Sequence, residues 1–188
     1  MDNVEELFEK SGAILNGHFL LTSGLHSPIY WEKFQVLQFP NYTEQLCRMI
    51  TDHFLKQGIQ VVAGPTTGGI ILAFEVARQL GVRGIFAEKV GAKERTFRRG
   101  FSINPGERVL IVDDLLTTGG SIREVIAAVI NQGGLIVGIG VLVARSDHEI
   151  NFGFPLFSCH RAVPPPTYPA ESCPLCAAQL PLVKPSGN

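Results

Sequence analysis

The chain carries almost no net charge. Its 16 Lys and Arg are offset by 17 Asp and Glu, leaving −1 over 188 residues, so there is no broad basic field to hold nucleic acid. No apolar run approaches the roughly 20 residues of a membrane span. The start, Met1-Asp2-Asn3-Val4-Glu5-Glu6, is acidic and lacks the basic-then-apolar pattern of a secretory leader. Four cysteines are too few for a disulfide framework in a chain of this length. There is no internal repeat and no interior linker. These absences lead us to expect one soluble domain over residues 1–188, located in the cytoplasm. A composition of 45% hydrophobic and 18% charged residues is ample for its core.

The most informative stretch is Val109-Leu110-Ile111-Val112-Asp113-Asp114-Leu115-Leu116-Thr117-Thr118-Gly119-Gly120-Ser121. Four β-favouring residues run into two carboxylates, then into a loop of Thr and Gly, and then a helix begins. Ser121 and Glu124 have the spacing of a capping box. Ile122, Val125, Ile126, Val129 and Ile130 follow at helical spacing, and Gly133-Gly134 stops the run. Small residues let backbone N–H groups approach a ligand closely, and a helix N-terminus favours an anion. Thr117, Thr118 and Ser121 add hydroxyl donors, so the loop reads as a phosphate cradle. The adjacent acids would repel phosphate and suit sugar hydroxyls instead. A phosphate beside two sugar hydroxyls describes a ribose 5-phosphate. The segment has neither the Gly-Lys-Ser/Thr ending of a Walker A loop nor the G-x-G-x-x-G of a dinucleotide turn.

Elsewhere, strands and helices alternate. Asp2 to Lys10 has the pattern of a short amphipathic helix. His18–Leu21 and Ser27–Trp31 form extended pieces around a Thr22-Ser23-Gly24 turn, and Pro40-Asn41 opens a longer helix. Strands are expected at Gln60–Ala63, Gly84–Ala87, Arg108–Val112 and Leu135–Val143, with an edge strand at Phe154–Ser158 and a helix at Ile70–Leu80. Repeated βα units imply an α/β fold with a mainly parallel sheet and helices on both faces. Ligands in such folds sit beyond the carboxyl ends of the strands. Gly64 to Gly69, Asp113 to Gly120 and Arg145 all fall at such ends. The Gly64 loop offers a second nest of N–H donors. Arg145, closing a buried strand, has a guanidinium that can fork onto a carboxylate. The tail from Pro164 reads as an extended wrap over the surface.

The Val109–Ser121 segment resembles the 5-phosphoribosyl-1-pyrophosphate (PRPP) signature of the type I phosphoribosyltransferases along its whole length. Ser23-Gly24-Leu25-His26-Ser27-Pro28-Ile29-Tyr30 resembles the S-G-x-x-S-P-x-Y segment of the orotate phosphoribosyltransferases. Arg98-Arg99-Gly100-Phe101, Pro105-Gly106-Glu107-Arg108 and the tail Glu171 to Lys184 resemble a bacterial branch of those enzymes. The resemblance implies a type I fold, with residues 1–40 as a hood over the base and 164–188 as a tail. It implies a Mg²⁺-dependent transfer from PRPP to orotate in UMP synthesis, by a homodimer that shares its site across subunits. It assigns Asp113, Asp114, Leu115, Leu116, Thr117, Thr118, Gly119, Gly120 and Ser121 to the phosphoribosyl group. Thr66, Thr67, Gly68 and Gly69 go to the pyrophosphate. Thr117, Arg145, Ser23, Gly24 and Tyr30 go to orotate, with His26 as a further candidate for the base pocket. Mg²⁺ is carried by PRPP, with no metal ligands of the protein's own. Glu88 to Arg99 contains five basic residues, and in the family such a loop closes over the site, often that of the neighbouring subunit. Lys89 and Lys93 are its candidate catalytic cations, beside Asp113 and Asp114. The loop departs from the common lid form R-K-x-x-K-x-H-G, since Glu88 stands for the leading arginine and the histidine is missing. A phosphoribosyltransferase for another base and a non-catalytic PRPP-sensing regulator are the alternatives.

Cys173-Pro174-Leu175-Cys176 stays open between tail packing, half of a zinc site and a redox pair. Cys159 and His160 are the nearest further ligand candidates in sequence. His18, His26, His53 and His148 show no metal spacing.

Overall fold

The computed structural model describes residues 3–146 and 149–185. Two points of the sequence reading, Asp2 as the start of the first helix and His148, lie outside them. Six strands form the central sheet in the order β5-β4-β3-β6-β7-β8: β3 (Val61–Pro65), β4 (Arg83–Gly91), β5 (Glu94–Phe97), β6 (Arg108–Leu116), β7 (Leu135–Ala144) and β8 (Leu156–Arg161). Every neighbouring pair is parallel except β4 with β5. Parallel strands need crossover helices, and a sheet covered on both faces needs strands that are apolar throughout. Val109, Leu110, Ile111 and Val112 of β6 are accordingly all fully buried.

One face carries α3 (Pro40–Phe54) and α4 (Gly68–Leu80), whose Leu46, Ile50, Leu72 and Val76 pack on Val62, Leu110 and Leu142. The other carries α5 (Gly120–Asn131), whose Ile122, Val125 and Val129 pack on Val61, Ile111 and Ile139. The short α1 (Val4–Lys10) begins with a capping box between Asn3 and Glu6, which the sequence reading did not single out. Its Val4, Leu7 and Phe8 join the first core.

A separate antiparallel hairpin, β1 (Ile14–Leu20) and β2 (His26–Trp31), stands above the sheet as the expected hood. The one-turn helix α2 (Lys33–Leu37) links it to α3. Nothing in the apolar spacing marks α2, because five residues make little more than one turn. The tail differs from the extended wrap expected. A 3-10 turn (Ala170–Ser172) and α6 (Pro174–Ala177) interrupt it, and it bridges to both hood strands, Val183 beside Phe19 and Tyr168 beside His26.

Candidate active site

The acidic pair lies near the carboxyl end of β6, with both side chains almost completely buried. The loop after β3 closes on it so tightly that a Cβ on Gly68 would run into the Asp114 carboxylate. Glycine is therefore required there by space. The peptide bond between Thr66 and Thr67 is cis.

The two acids are held differently. Asp113 accepts a hydrogen bond from Ser121 Oγ at 2.9 Å and another from the backbone N–H of Asp114 at 2.9 Å. Burial first, and the neighbouring Asp114 charge second, raise its pKa to about 7, against the smaller lowering effect of those hydrogen bonds. Asp114 is instead paired with Lys33, whose Nζ lies 3.0 Å from Oδ1 and 2.9 Å from Oδ2. Lys33 is 81 positions away in sequence, and no motif pointed to it.

The loop after β6 does not form the capping box expected from Ser121 and Glu124. The helix starts two residues earlier, with Gly119 as N-cap in the left-handed region (φ 78°) and no side-chain cap. Ser121 is drawn to Asp113, and Glu124 pairs with Arg95 (Nε to Oε2, 3.0 Å). The uncapped N–H groups at the start of α5 thus stay available to a phosphate. Thr117 and Thr118 are exposed beside them, whereas the Leu116 side chain turns into the core.

Two connected lobes meet over these loops. The outer lobe, a cavity of 540 Å³, lies between the hood and the strand ends. Its lining includes Ser23, Tyr30, Lys33, Thr67, Thr117 and Arg145. The inner lobe, 280 Å³, is lined by Thr66, Arg95, Asp113, Asp114 and Ser121, and shares Lys33, Thr67, Gly68, Leu115 and Thr117 with the outer one. A wider groove of 760 Å³ follows the hood between α2 and the tail, but none of the three strand-end loops reaches it. Arg145 has no carboxylate partner among the described residues, and burial lowers its pKa, with Tyr30 opposing that effect.

Not every expected residue comes to these lobes. Gly24 shapes the hood turn at φ 82° but does not line the cavity. His26 is buried behind the hood and lines neither lobe. Lys89 and Lys93 are exposed on the β4–β5 hairpin and also line neither. The basic residue of that hairpin that does reach the site is Arg95, whose Nη1 donates to Thr66 Oγ1 at 2.8 Å. The alternation of the strand could have marked it, since Arg95 pairs with Lys89 while Ala87 pairs with buried Phe97 two residues on.

The chain is similar to known phosphoribosyltransferases. The model of the phosphoribosyl transferase domain matches residues 35–159. A protein of Pelotomaculum thermopropionicum named orotate phosphoribosyltransferase is 50% identical over 187 residues, covering 100% of this chain and 97% of its own. One of Desulforamulus reducens with the same name is 48% identical over the same shares. The crystal structure of orotate phosphoribosyltransferase from Aeropyrum pernix superposes with a TM-score of 0.70 at 24% identity, covering 84% of this chain and 93% of that one, which is a likeness of fold. The chain belongs to the phosphoribosyltransferase family, within its orotate phosphoribosyltransferase branch.

Proposed function

We propose that this chain transfers the 5-phosphoribosyl group of PRPP to orotate, giving orotidine 5-monophosphate and pyrophosphate in pyrimidine synthesis. The observation that carries the base assignment is Arg145. A partly desolvated guanidinium lining a cavity, with no carboxylate paired to it among the described residues, calls for an anionic ligand. Orotate brings a carboxylate, which uracil and the purines lack. Ser23, Tyr30 and Thr117 complete the wall around the base.

In this reading the N–H groups of Thr117 to Ser121 hold the 5-phosphate. Asp113 and Asp114 hold the ribose hydroxyls and stabilise positive charge developing at C1. Thr66 to Gly69, backed by Arg95, receive the pyrophosphate. Orotate N1 attacks C1 as the bond from C1 to the pyrophosphate oxygen breaks, with inversion, and the N1 proton passes to the departing pyrophosphate or to solvent. Fixed dipoles and positioning carry the rate, with no covalent enzyme intermediate. Of the inner lobe's two carboxylates, Asp113 is hydrogen-bonded to Ser121 and Asp114 is paired with Lys33, and the pair would hold the ribose hydroxyls of a PRPP that brings Mg²⁺ with it. When bound, the ion neutralises pyrophosphate charge. The exposed Lys89 and Lys93 serve the leaving group from a mobile lid, reaching the neighbouring subunit of a homodimer. The whole chain, 1–188, acts as one domain, with residues 1–40 as hood and 164–188 as the tail behind it.

The test is the loss of orotate ultraviolet absorbance on mixing protein, PRPP and Mg²⁺. It should be rapid for the native chain and at least tenfold slower at subsaturating orotate for Arg145→Ala, with PRPP binding retained. An active enzyme indifferent to Arg145→Ala would refute the carboxylate contact.

A further inference from the structure

The hood and the tail meet in a cluster that the transferase chemistry does not use. His18 of β1, His26 of β2, Cys173 at the N-cap of α6 and Cys176 within it direct one nitrogen or sulfur each to a common point. These four atoms all lie within 4.8 Å of one another. His18 Nε2 is 2.8 Å from His26 Nδ1, 3.6 Å from Cys173 Sγ and 3.8 Å from Cys176 Sγ, and Cys176 Sγ is 3.3 Å from His26 Nδ1. A tetrahedral zinc ion, with bonds of about 2.0–2.1 Å to nitrogen and about 2.3 Å to sulfur, requires ligand–ligand edges of about 3.3–3.8 Å. These three nitrogen–sulfur distances fall at about those lengths, the nitrogen pair needs to open by about half an ångström, and the remaining pairs, within 4.8 Å, need to close by at most about an ångström. Cys159 and His160, the partners nearest in sequence, are elsewhere: Cys159 Sγ faces Leu46 O, and His160 stacks on Trp31.

Proton bookkeeping favours a cation. His18 Nδ1 lies 2.9 Å from the Leu180 carbonyl, which can only accept, so that nitrogen carries the hydrogen. The Nε2 lone pair is then aimed at His26 and both sulfurs. A histidine ligand fixed through its other nitrogen by a carbonyl is the usual outer support of a metal site. His18, His26 and Cys173 are buried, and neither cysteine is in a disulfide. The geometry points to a structural Cys2His2 zinc site formed by His18, His26, Cys173 and Cys176, which staples the tail to the hood. Zinc binds the two thiolates and two neutral imidazoles, releasing the two thiol protons to solvent.

The staple has something to hold. A lone two-stranded hairpin is marginal in water, and here the tail reinforces both strands. The Val183 N–H donates to His18 O (2.8 Å) and the Val183 carbonyl accepts from Leu20 N–H (2.9 Å), while His26 and Tyr168 exchange two backbone hydrogen bonds (2.8 and 2.9 Å). The same hairpin carries Tyr30, and the turn joining its strands carries Ser23, both on the wall of the outer lobe. Metal on one side of the hood thus fixes the base wall on the other.

The experiment uses the full-length, untagged chain. Elemental analysis should find close to one zinc per chain. Co²⁺ added to chelator-stripped protein should give the intense visible bands of a tetrahedral site and a thiolate-to-cobalt charge-transfer band. Cys176→Ser should weaken Co²⁺ binding at least tenfold and remove much of the charge-transfer intensity. If that variant does not fold, the spectrum of the native chain decides alone. A six-coordinate cobalt spectrum, no retained metal with both tail thiols freely reactive, or a mass two hydrogens short from a Cys173–Cys176 disulfide would each overturn the assignment.

Discussion

Replacing Lys33 by alanine probes the electrostatics of the acidic pair most sharply. Lys33 Nζ sits within 3.0 Å of both Asp114 oxygens. The carboxylate side chain is 3% exposed and the lysine 35%. Removing one partner of a fully buried pair costs about 3–5 kcal/mol, and of an exposed pair about 0–1 kcal/mol. One charge here is buried and the other is partly wet, so the expected loss is about 2 kcal/mol at neutral pH. For a chain of this size that lowers Tm by about 4–8 °C. In an Asp114→Asn background the same lysine change should cost little, giving a coupling of about 1–3 kcal/mol in a double-mutant cycle. Denaturant or thermal unfolding of the four proteins measures it. Additive losses, with Lys33→Ala equally harmful in both backgrounds, would refute the argument that the lysine acts through Asp114.

Gly119→Ala adds a Cβ where φ is 78° and where it would lie 2.7 Å from the Phe152 ring. We expect a stability loss of about 1–3 kcal/mol together with a raised KM for PRPP, read by thermal unfolding and steady-state kinetics. Asp113 has a folded-state pKa raised to about 7, by burial first and Asp114 second. The folded state therefore binds more protons than the unfolded one between pH 4 and 7. Stability from this group is fully present below its unfolded pKa of about 4 and is lost as pH rises through 7, with a slope of at most about 1.4 kcal/mol per pH unit. Asp113→Asn should flatten that slope in pH-dependent unfolding and still abolish PRPP binding; an unchanged slope would count against the buried-proton account. Lys89→Ala and Lys93→Ala remove exposed side chains, so Tm should stay within about 1 °C. A drop in kcat of tenfold or more from either would support the lid role, and native kcat in both would remove it.

The central strands were legible because they are buried on both faces and read as short apolar runs, whereas β5 was not, since Glu94–Phe97 is polar and half exposed and its stretch read as a lid loop rather than the second arm of a hairpin. Val109 to Val112 and Leu135 to Val143 need no partner information to be recognised. The phosphate loop was legible for the same local reason, since strand, acids, small residues and helix follow one another without a break. Residues whose roles depend on contacts across the fold were less visible. Lys33 meets Asp114 from the far side of 81 residues, and nothing in its own neighbourhood marks it. Ser121 and Glu124 matched a local capping pattern but were claimed by Asp113 and Arg95, because satisfying a buried carboxylate outweighs a helix cap of about 1 kcal/mol. His18 and His26 lie eight apart with no metal-ligand spacing, and only the crossing of the tail, 155 and 150 residues on, brings two sulfurs to them.

The central claim is that the two lobes hold PRPP and a carboxylated pyrimidine. The most direct measurement supplies the protein with PRPP, Mg²⁺ and equimolar orotate, uracil and adenine, and identifies the nucleotide formed by mass spectrometry. The account predicts orotidine 5-monophosphate with one pyrophosphate per nucleotide. Formation of UMP directly or of AMP in its place, or PRPP binding with no nucleotide at all, would contradict it.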